Sequence, residues 1–123
     1  MIGIGIDICE IARMERILES NDRFLERFFT EGEQAYIRGR GKAAGQSMAA
    51  VFAAKEALLK AMGTGFGGGI GLTEIHIEHA ESGQPHYVLA GAAKAKFDEL
   101  GGVRVLLSIS HEVGVAAAVA VIE

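Results

Sequence analysis

Three charged residues stand in apolar surroundings, and their types suit phosphate chemistry. From Ser47 to Met62 the spacing predicts a helix that is apolar all round. Met48, Val51, Phe52, Leu58, Leu59 and Met62 form its large face, and alanines at 49, 50, 53, 54, 57 and 61 cover most of the rest. Lys55, Glu56 and Lys60 interrupt it. A buried charge is costly unless paired or bound. The three charges fit two roles. One is structural: a Glu56–Lys60 pair one turn apart on a solvent strip, with Lys55 snorkelling. The other is a site at the helix edge, with Glu56 holding a cation and one or both lysines meeting phosphate oxygens. Asp7 bears on the choice. A strand-end aspartate is often a cap or turn former. Yet two carboxylates without histidine or cysteine partners are what a hard cation such as Mg²⁺ prefers, its shell completed by water and substrate phosphates. Spacing alone does not bring Asp7 and Glu56 together.

The remaining candidates are weaker. The run from Gly63 to Gly68 satisfies G-x-G-x-x-G, but a helix precedes it and none opens after it, so it is not a dinucleotide fingerprint. It is a connection with a helix cap, or a loop whose small residues admit a ligand. His111 follows an alternating strand and reads first as a turn residue; its neighbour Ser110 does not make a triad, which is set by space. His76, His79 and His86 read as surface residues of a hairpin and form no zinc set with Cys9.

These side chains need elements to hold them. Residues 1–8 alternate, with Ile2, Ile4, Ile6 and Ile8 on one face and Gly3, Gly5 and Asp7 on the other, which predicts a strand. The glycine face admits close approach of a backbone or a ligand. Helices are predicted over 10–20, around Phe24–Phe28, and from Thr30, whose spacing to Glu33 is that of a capping box. Gly39, Gly41 and Gly45 mark a loop before the apolar helix, which Gly63 and Gly65 stop. Strands over 74–79 and 86–89 flank a Ser82–Pro85 turn, a helix spans 92–100, and strands over 103–110 and 115–122 join through Glu112-Val113-Gly114. The last strand is apolar on both faces and belongs in a sheet centre or an interface. The order predicts an α+β fold, a mainly antiparallel sheet with helices packed on it, in a single domain over 1–123.

Composition narrows the classes. The chain has 123 residues, 50% of them hydrophobic, and a net charge of −4, which disfavours nucleic acid as a partner. Val113–Ile122, the longest apolar stretch, is about half of the ~20 residues a membrane helix needs. One cysteine, and an opening segment unlike a signal peptide, predict a cytoplasmic protein. A mean hydropathy of +0.26 in so small a chain predicts an oligomer.

Three segments, in order, carry a resemblance. Gly5-Ile6-Asp7-Ile8-Cys9-Glu10-Ile11 resembles the G-[IV]-D-[IL]-x-x-[IV] opening of the holo-acyl-carrier-protein synthases. Phe52 to Ala61, followed by Gly-Thr-Gly, is similar to their F-[AT]-x-K-E-A-x-x-K-A signature, and Ser108-Ile109-Ser110-His111 to their S-[IL]-[ST]-H strand end. The resemblance implies the 4′-phosphopantetheinyl transferase fold and activity: phosphopantetheine moves from coenzyme A to a serine of apo-acyl-carrier protein, releasing adenosine 3′,5′-bisphosphate, in support of fatty acid biosynthesis. It implies that Asp7, Glu56 and Lys60 are catalytic, with Asp7 and Glu56 holding Mg²⁺ and Lys60 meeting phosphate oxygens. It places His111 near the coenzyme A nucleotide and the loop of Gly63 and Gly65 against the same substrate. The serine's base is Glu56 or a metal-activated water; the water is preferred, because a metal-bound carboxylate is a weak base. It also implies a homotrimer with sites between protomers.

An acidic carrier needs a basic face. Arg13 is the first candidate and Arg23 and Arg27 follow, in competition with internal pairing to Glu15, Glu19, Asp22 and Glu26. Arg40 and Lys42 are candidates for the 3′-phosphate of coenzyme A, or a solvated basic loop. Val51 departs from the pattern, since many relatives carry arginine there, and Arg40 or Lys42 is the expected substitute. A non-catalytic oligomeric binding module competes with the enzyme but does not need both Asp7 and Glu56. A different Mg²⁺-dependent phosphotransferase ranks lower, because no nucleoside-triphosphate motif is present.

Overall fold

Glycines decide how the first strand meets the longest helix. In the computed structural model, which describes residues 1–65 and 68–123, strand β1 (Gly3–Glu10) lies under helix α4 (Ala44–Met62). A Cβ on Gly3 would overlap the carbonyl oxygen of Ala61, and one on Gly5 that of Ala57. The glycine face is thus the inner face, and it lets a helix backbone rest on a strand backbone. The isoleucines point the other way: Ile4, Ile6 and Ile8 are 59%, 56% and 65% exposed.

β1 pairs antiparallel with β5 (Val115–Ile122), and β5 with β4 (Val105–Glu112), in the order β1-β5-β4. The two-faced apolar strand is central, as its composition predicts. Its inner residues Ala116, Ala118, Ala120 and Ile122 are buried under α4. β2 (Ile75–His79) and β3 (Pro85–Leu89) form a separate antiparallel hairpin. Helices α1 (Ile11–Ser20), α2 (Arg23–Phe28), α3 (Glu31–Arg38) and α5 (Gly91–Glu99) complete the α+β arrangement.

Several boundaries differ from the sequence expectation for physical reasons. α4 begins at Ala44, not Ser47, and takes in Gly45, a position where a side chain would collide with Glu15 on α1. The expected loop before it is a short 3-10 turn, Gly41–Ala43. β4 runs on to Glu112, so His111 is a strand residue paired with Ala116, not a turn residue. α4 ends where expected: Gly63 takes φ +75, the left-handed cap that glycine adopts without strain. Phe66 and Gly67 of the glycine run lie outside the described residues.

Lys55 fills neither expected role. It is fully buried, and its ammonium donates to Glu33 Oε1 at 2.5 Å, to the Leu72 carbonyl at 2.8 Å and to the Phe28 carbonyl at 3.0 Å. Burial pulls its pKa down, and Glu33 pulls it back up. Glu33 also closes the predicted capping box, accepting from Thr30 N, while its Oε2 accepts from Ile77 N at 2.7 Å. One internal ion pair therefore ties α4 to α3, to the end of α2 and to the hairpin. His76 and His79 are not free surface residues either. His76 Nδ1 lies 2.7 Å from Thr30 Oγ1, and the His79 ring stacks on Tyr36 at 4.2 Å.

Candidate active site

Asp7 sits on the inner face of β1, where the strand emerges beside α4. Its carboxylate is 11% exposed. Oδ1 accepts from Lys60 Nζ at 3.0 Å, and the same ammonium donates to the Ile6 carbonyl. Lys60 thus pairs across to the strand and not along its own helix. Asp7 Oδ2 is buried and accepts no hydrogen bond among the described residues. A buried acceptor left unsatisfied normally signals a missing partner.

Glu56 lies one turn before Lys60 and is half-buried. Burial is the main cause that pushes its carboxyl up, to about 7, and the Asp7 carboxylate beside it adds to the effect. Lys60 and Arg13 oppose the shift. Asp7 and Glu56 are thus brought together, as the sequence could not show. Their donors are all oxygen, and no third His, Cys, Asp or Glu joins them among the described residues. Cys9 is buried, and its thiol is pushed up to about 11, chiefly by burial. Such a set suits Mg²⁺, which takes one or two carboxylates and leaves its other positions to water and phosphate.

A cavity of about 250 Å³ opens at the other edge of the sheet. Arg40, Gln46, Ser47, Val51 and His111 line it, with Pro85 from the hairpin. Gln46 Nε2 lies 3.3 Å from His111 Nε2, and Arg40 Nε donates to Ser47 Oγ at 3.3 Å. Arg40 has no carboxylate within 4 Å among the described residues, so its charge faces the cavity unneutralised. Lys42 is elsewhere, in a recess with Glu15 and Glu19. Gln46, Ser47, Tyr36 and His79 were not singled out as site residues from sequence. The one signal was that Tyr36 and Arg40 stand four residues apart, across the end of α3.

Arg13, Arg23 and Arg27 are exposed and make no ion pair within 4 Å among the described residues; Asp22 pairs with Arg38 instead. The guanidinium of Arg13 lies 5.8 Å from the Phe52 ring centroid, and that of Arg27 lies 5.3 Å from Phe28. Phe24, half-buried, packs on both rings, at 5.5 Å from Phe52 and 4.8 Å from Phe28. Arg13 and Arg27 therefore border an aromatic cluster.

Residues 3–117 match the model of the 4′-phosphopantetheinyl transferase superfamily. The chain belongs to that family. A holo-[acyl-carrier-protein] synthase of Trichlorobacter lovleyi is 45% identical, covering 100% of this chain and 98% of the relative. The crystal structure of the holo-[acyl-carrier-protein] synthase from Neisseria meningitidis superposes with a TM-score of 0.87 at 36% identity, covering 100% of this chain and 98% of that one. The Helicobacter pylori synthase, solved in complex with coenzyme A, superposes with a TM-score of 0.84 at 35% identity, covering 98% and 99%. The superfamily's fold is the one described above, and no helix among the described residues is long and apolar enough to cross a membrane.

Proposed function

We propose that this chain transfers the 4′-phosphopantetheine group of coenzyme A to a serine of apo-acyl-carrier protein, giving the holo-carrier for fatty acid biosynthesis and adenosine 3′,5′-bisphosphate. The serine oxygen bonds to the phosphorus that bears pantetheine. The bond from that phosphorus to the oxygen bridging the diphosphate breaks, the bridging oxygen leaves with adenosine 3′,5′-bisphosphate, and the serine proton passes to a water or to Glu56. Such transfers depend on positioning and charge neutralisation more than on covalent help from the protein.

The observation that carries this reading is the Asp7–Glu56 pair, with its unsatisfied Oδ2 and its lysine counter-charge. Asp7 and Glu56 would hold Mg²⁺. When bound, the ion supplies positive charge to the diphosphate oxygens. Lys60, 55% exposed on its side chain, can turn from Asp7 to those oxygens and offset the charge left on the departing bisphosphate. Gly63 and Gly65, both at positive φ just past α4, let the loop backbone come close to the pantetheine phosphate. The Arg40–His111 cavity takes the nucleotide, and Arg40, which shares it with Val51, stands in for the arginine that many relatives carry at that helix position. Arg13, Arg23 and Arg27 meet the acidic carrier, with the aromatic cluster beside them giving it an apolar seat. The single free thiol fits a reducing, cytosolic setting.

The working unit is a homotrimer. Asp7 of the carboxylate pair is on β1, Glu56 is on α4 above it, and β4 borders the cavity; β1 and β4 are the two edges of one sheet with β5 between them. At roughly 4.8 Å per strand spacing the edges stand ~10 Å apart, with α4 packed over the sheet. A substrate lying between two copies, nucleotide in the cavity of one and diphosphate on the carboxylates of the next, meets both features. The exposed isoleucines of β1, with Leu106 of β4 48% exposed on the same face, give the copies an apolar surface to bury.

The deciding experiment is to incubate the protein with apo-carrier, coenzyme A and Mg²⁺ and weigh the carrier. A mass increase of one phosphopantetheine, absent with chelator, is the expected result. An unmodified carrier overturns the proposal.

A further inference from the structure

Arg40 is a long side chain at an exposed turn, yet it is held. It has five donors and no acid partner among the described residues. Ser47 Oγ takes one donor, Nε, and leaves the terminal amino groups for a ligand. The guanidinium carbon lies 5.6 Å from the centroid of Tyr36. Tyr36 itself is fixed, because the His79 ring stacks on it at 4.2 Å with an interplanar angle of only 14°. All four side chains line the same cavity. Burial, and after it the charges of Arg40 and His86, pull the His79 pKa down, so the stack holds a neutral ring beside Arg40.

Lys42 offers the contrast. It lies two residues on, with no ring contact, ion pair or hydrogen bond among the described residues, in a recess that also holds Glu15 and Glu19. An unrestrained basic side chain loses rotamer freedom when it grips a phosphate, whereas a guanidinium backed by an aromatic face and tied at Nε has already lost much of it.

We propose that Tyr36, braced by His79, is a positioning residue that presents Arg40 to the 3′-phosphate of coenzyme A, and that this brace sets the preference for coenzyme A over its 3′-dephospho form. The inference rests on the reading of the cavity as the nucleotide site. Tyr36 does not touch the reacting atoms. Its ring limits where the guanidinium can point, and only a substrate carrying the 3′-phosphate gains from that limit.

The test compares kcat/KM for coenzyme A and for 3′-dephospho-coenzyme A, in the wild type and in Tyr36→Leu, Tyr36→Phe, Arg40→Ala and the Tyr36→Leu/Arg40→Ala double variant. Leucine keeps apolar bulk and removes the ring face; phenylalanine keeps the face. Arg40→Ala should lower the preference by about tenfold, the size of one charge-assisted contact. Tyr36→Leu should lower it several-fold through the KM for coenzyme A, Tyr36→Phe should preserve it, and the double variant should show no loss of preference beyond Arg40→Ala. If Tyr36→Leu weakens both substrates equally, or if its effect adds in full to that of Arg40→Ala, the positioning role is overturned. If Arg40→Ala leaves the preference intact, the assignment of Arg40 to the 3′-phosphate fails, and the inference with it. Transfer activity itself is read in every arm, so failure of the enzyme assignment would appear separately, as no transfer from either substrate.

Discussion

Lys60 Nζ lies 3.0 Å from Asp7 Oδ1, spanning the seam between the last turn of α4 and strand β1. The contact joins the two motifs that carry the chemistry, which are far apart in sequence. Asp7 also interacts with Glu56, whose carboxyl, when protonated, can hydrogen-bond to it. Asp7→Ala and Glu56→Ala should each nearly abolish Mg²⁺-dependent transfer while leaving circular dichroism and melting cooperativity intact. Lys60→Ala should reduce kcat/KM by roughly a hundredfold, as loss of one preorganised charge contact does elsewhere. Near-full activity in any of the three would refute its assigned role.

Glu56 should make the stability of the metal-free protein fall with rising pH. Its carboxyl is pushed up in the fold from 4.5 to about 7, so over that range the folded state binds more protons than the unfolded one. Stability from this group is therefore greatest below pH ~4.5 and is lost as the pH climbs through ~7. Melts in chelator at pH 5.5 and 8 should show a drop that Glu56→Gln abolishes. Mg²⁺ should raise the melting temperature more at pH 8 than at pH 5.5, because the ion binds the ionised pair. Identical pH profiles in wild type and Glu56→Gln would contradict this.

Lys55→Met should destabilise the fold by about 3–5 kcal/mol, the usual penalty for leaving a buried charge unpaired. The stranded charge is Glu33, whose carboxylate also caps α3 and holds Ile77. Lys55→Met/Glu33→Gln should recover part of that loss, since the amide oxygen can keep one backbone contact without a net charge. Urea denaturation of the three proteins measures it. A double variant less stable than Lys55→Met would show that the ion pair is not the source of the penalty.

Ile6→Asp should disrupt assembly. The side chain is 56% exposed on the single chain and points away from α4, so the monomer fold should survive. Sedimentation should show a shift to monomer, and specific activity should fall with it. A monomeric variant of full activity would overturn the shared site while leaving the chemistry of Asp7 and Glu56 in place.

Arg13→Glu should raise the KM for the carrier at low salt, with a smaller effect at high salt and no change in the KM for coenzyme A. Steady-state kinetics at two ionic strengths suffices. A change in the coenzyme A KM would move Arg13 from the docking face to the substrate site.

What the sequence made legible was local. The alternation of Ile2–Ile8 marked a strand, Thr30 and Glu33 marked a helix start, and Gly63 marked a helix end, because each is a relation between residues a few positions apart. The chemistry of Asp7 and Glu56 was legible from type, but their meeting was not. The pairing of Lys55 is not legible, because its partner Glu33 is 22 residues away and helical spacing carries no trace of such a pair. The glycines from 39 to 45 imitated a loop, although Gly45 is in a helix where Glu15 leaves no room for a side chain. The stack of His79 on Tyr36 joins a strand to a helix and has no local signature.

β1 presents aspartate and glycine to the helix and isoleucine to the outside, in strict alternation along a single stretch of chain. The outer isoleucines can be exchanged for other apolar residues with graded effect, unlike Gly3 and Gly5, where a side chain would meet the α4 backbone. Adding or deleting one residue before Asp7 cannot be graded, because it turns the remainder of the strand over. Isoleucines would then be driven into α4 at the positions where not even a methyl group fits, and the aspartate would be delivered to the contact between copies. The segment should therefore be permissive on its outer face alone and rigid in length. A scan of single-codon insertions and deletions should find fewer survivors in β1 than in the Ser82–Gln84 turn.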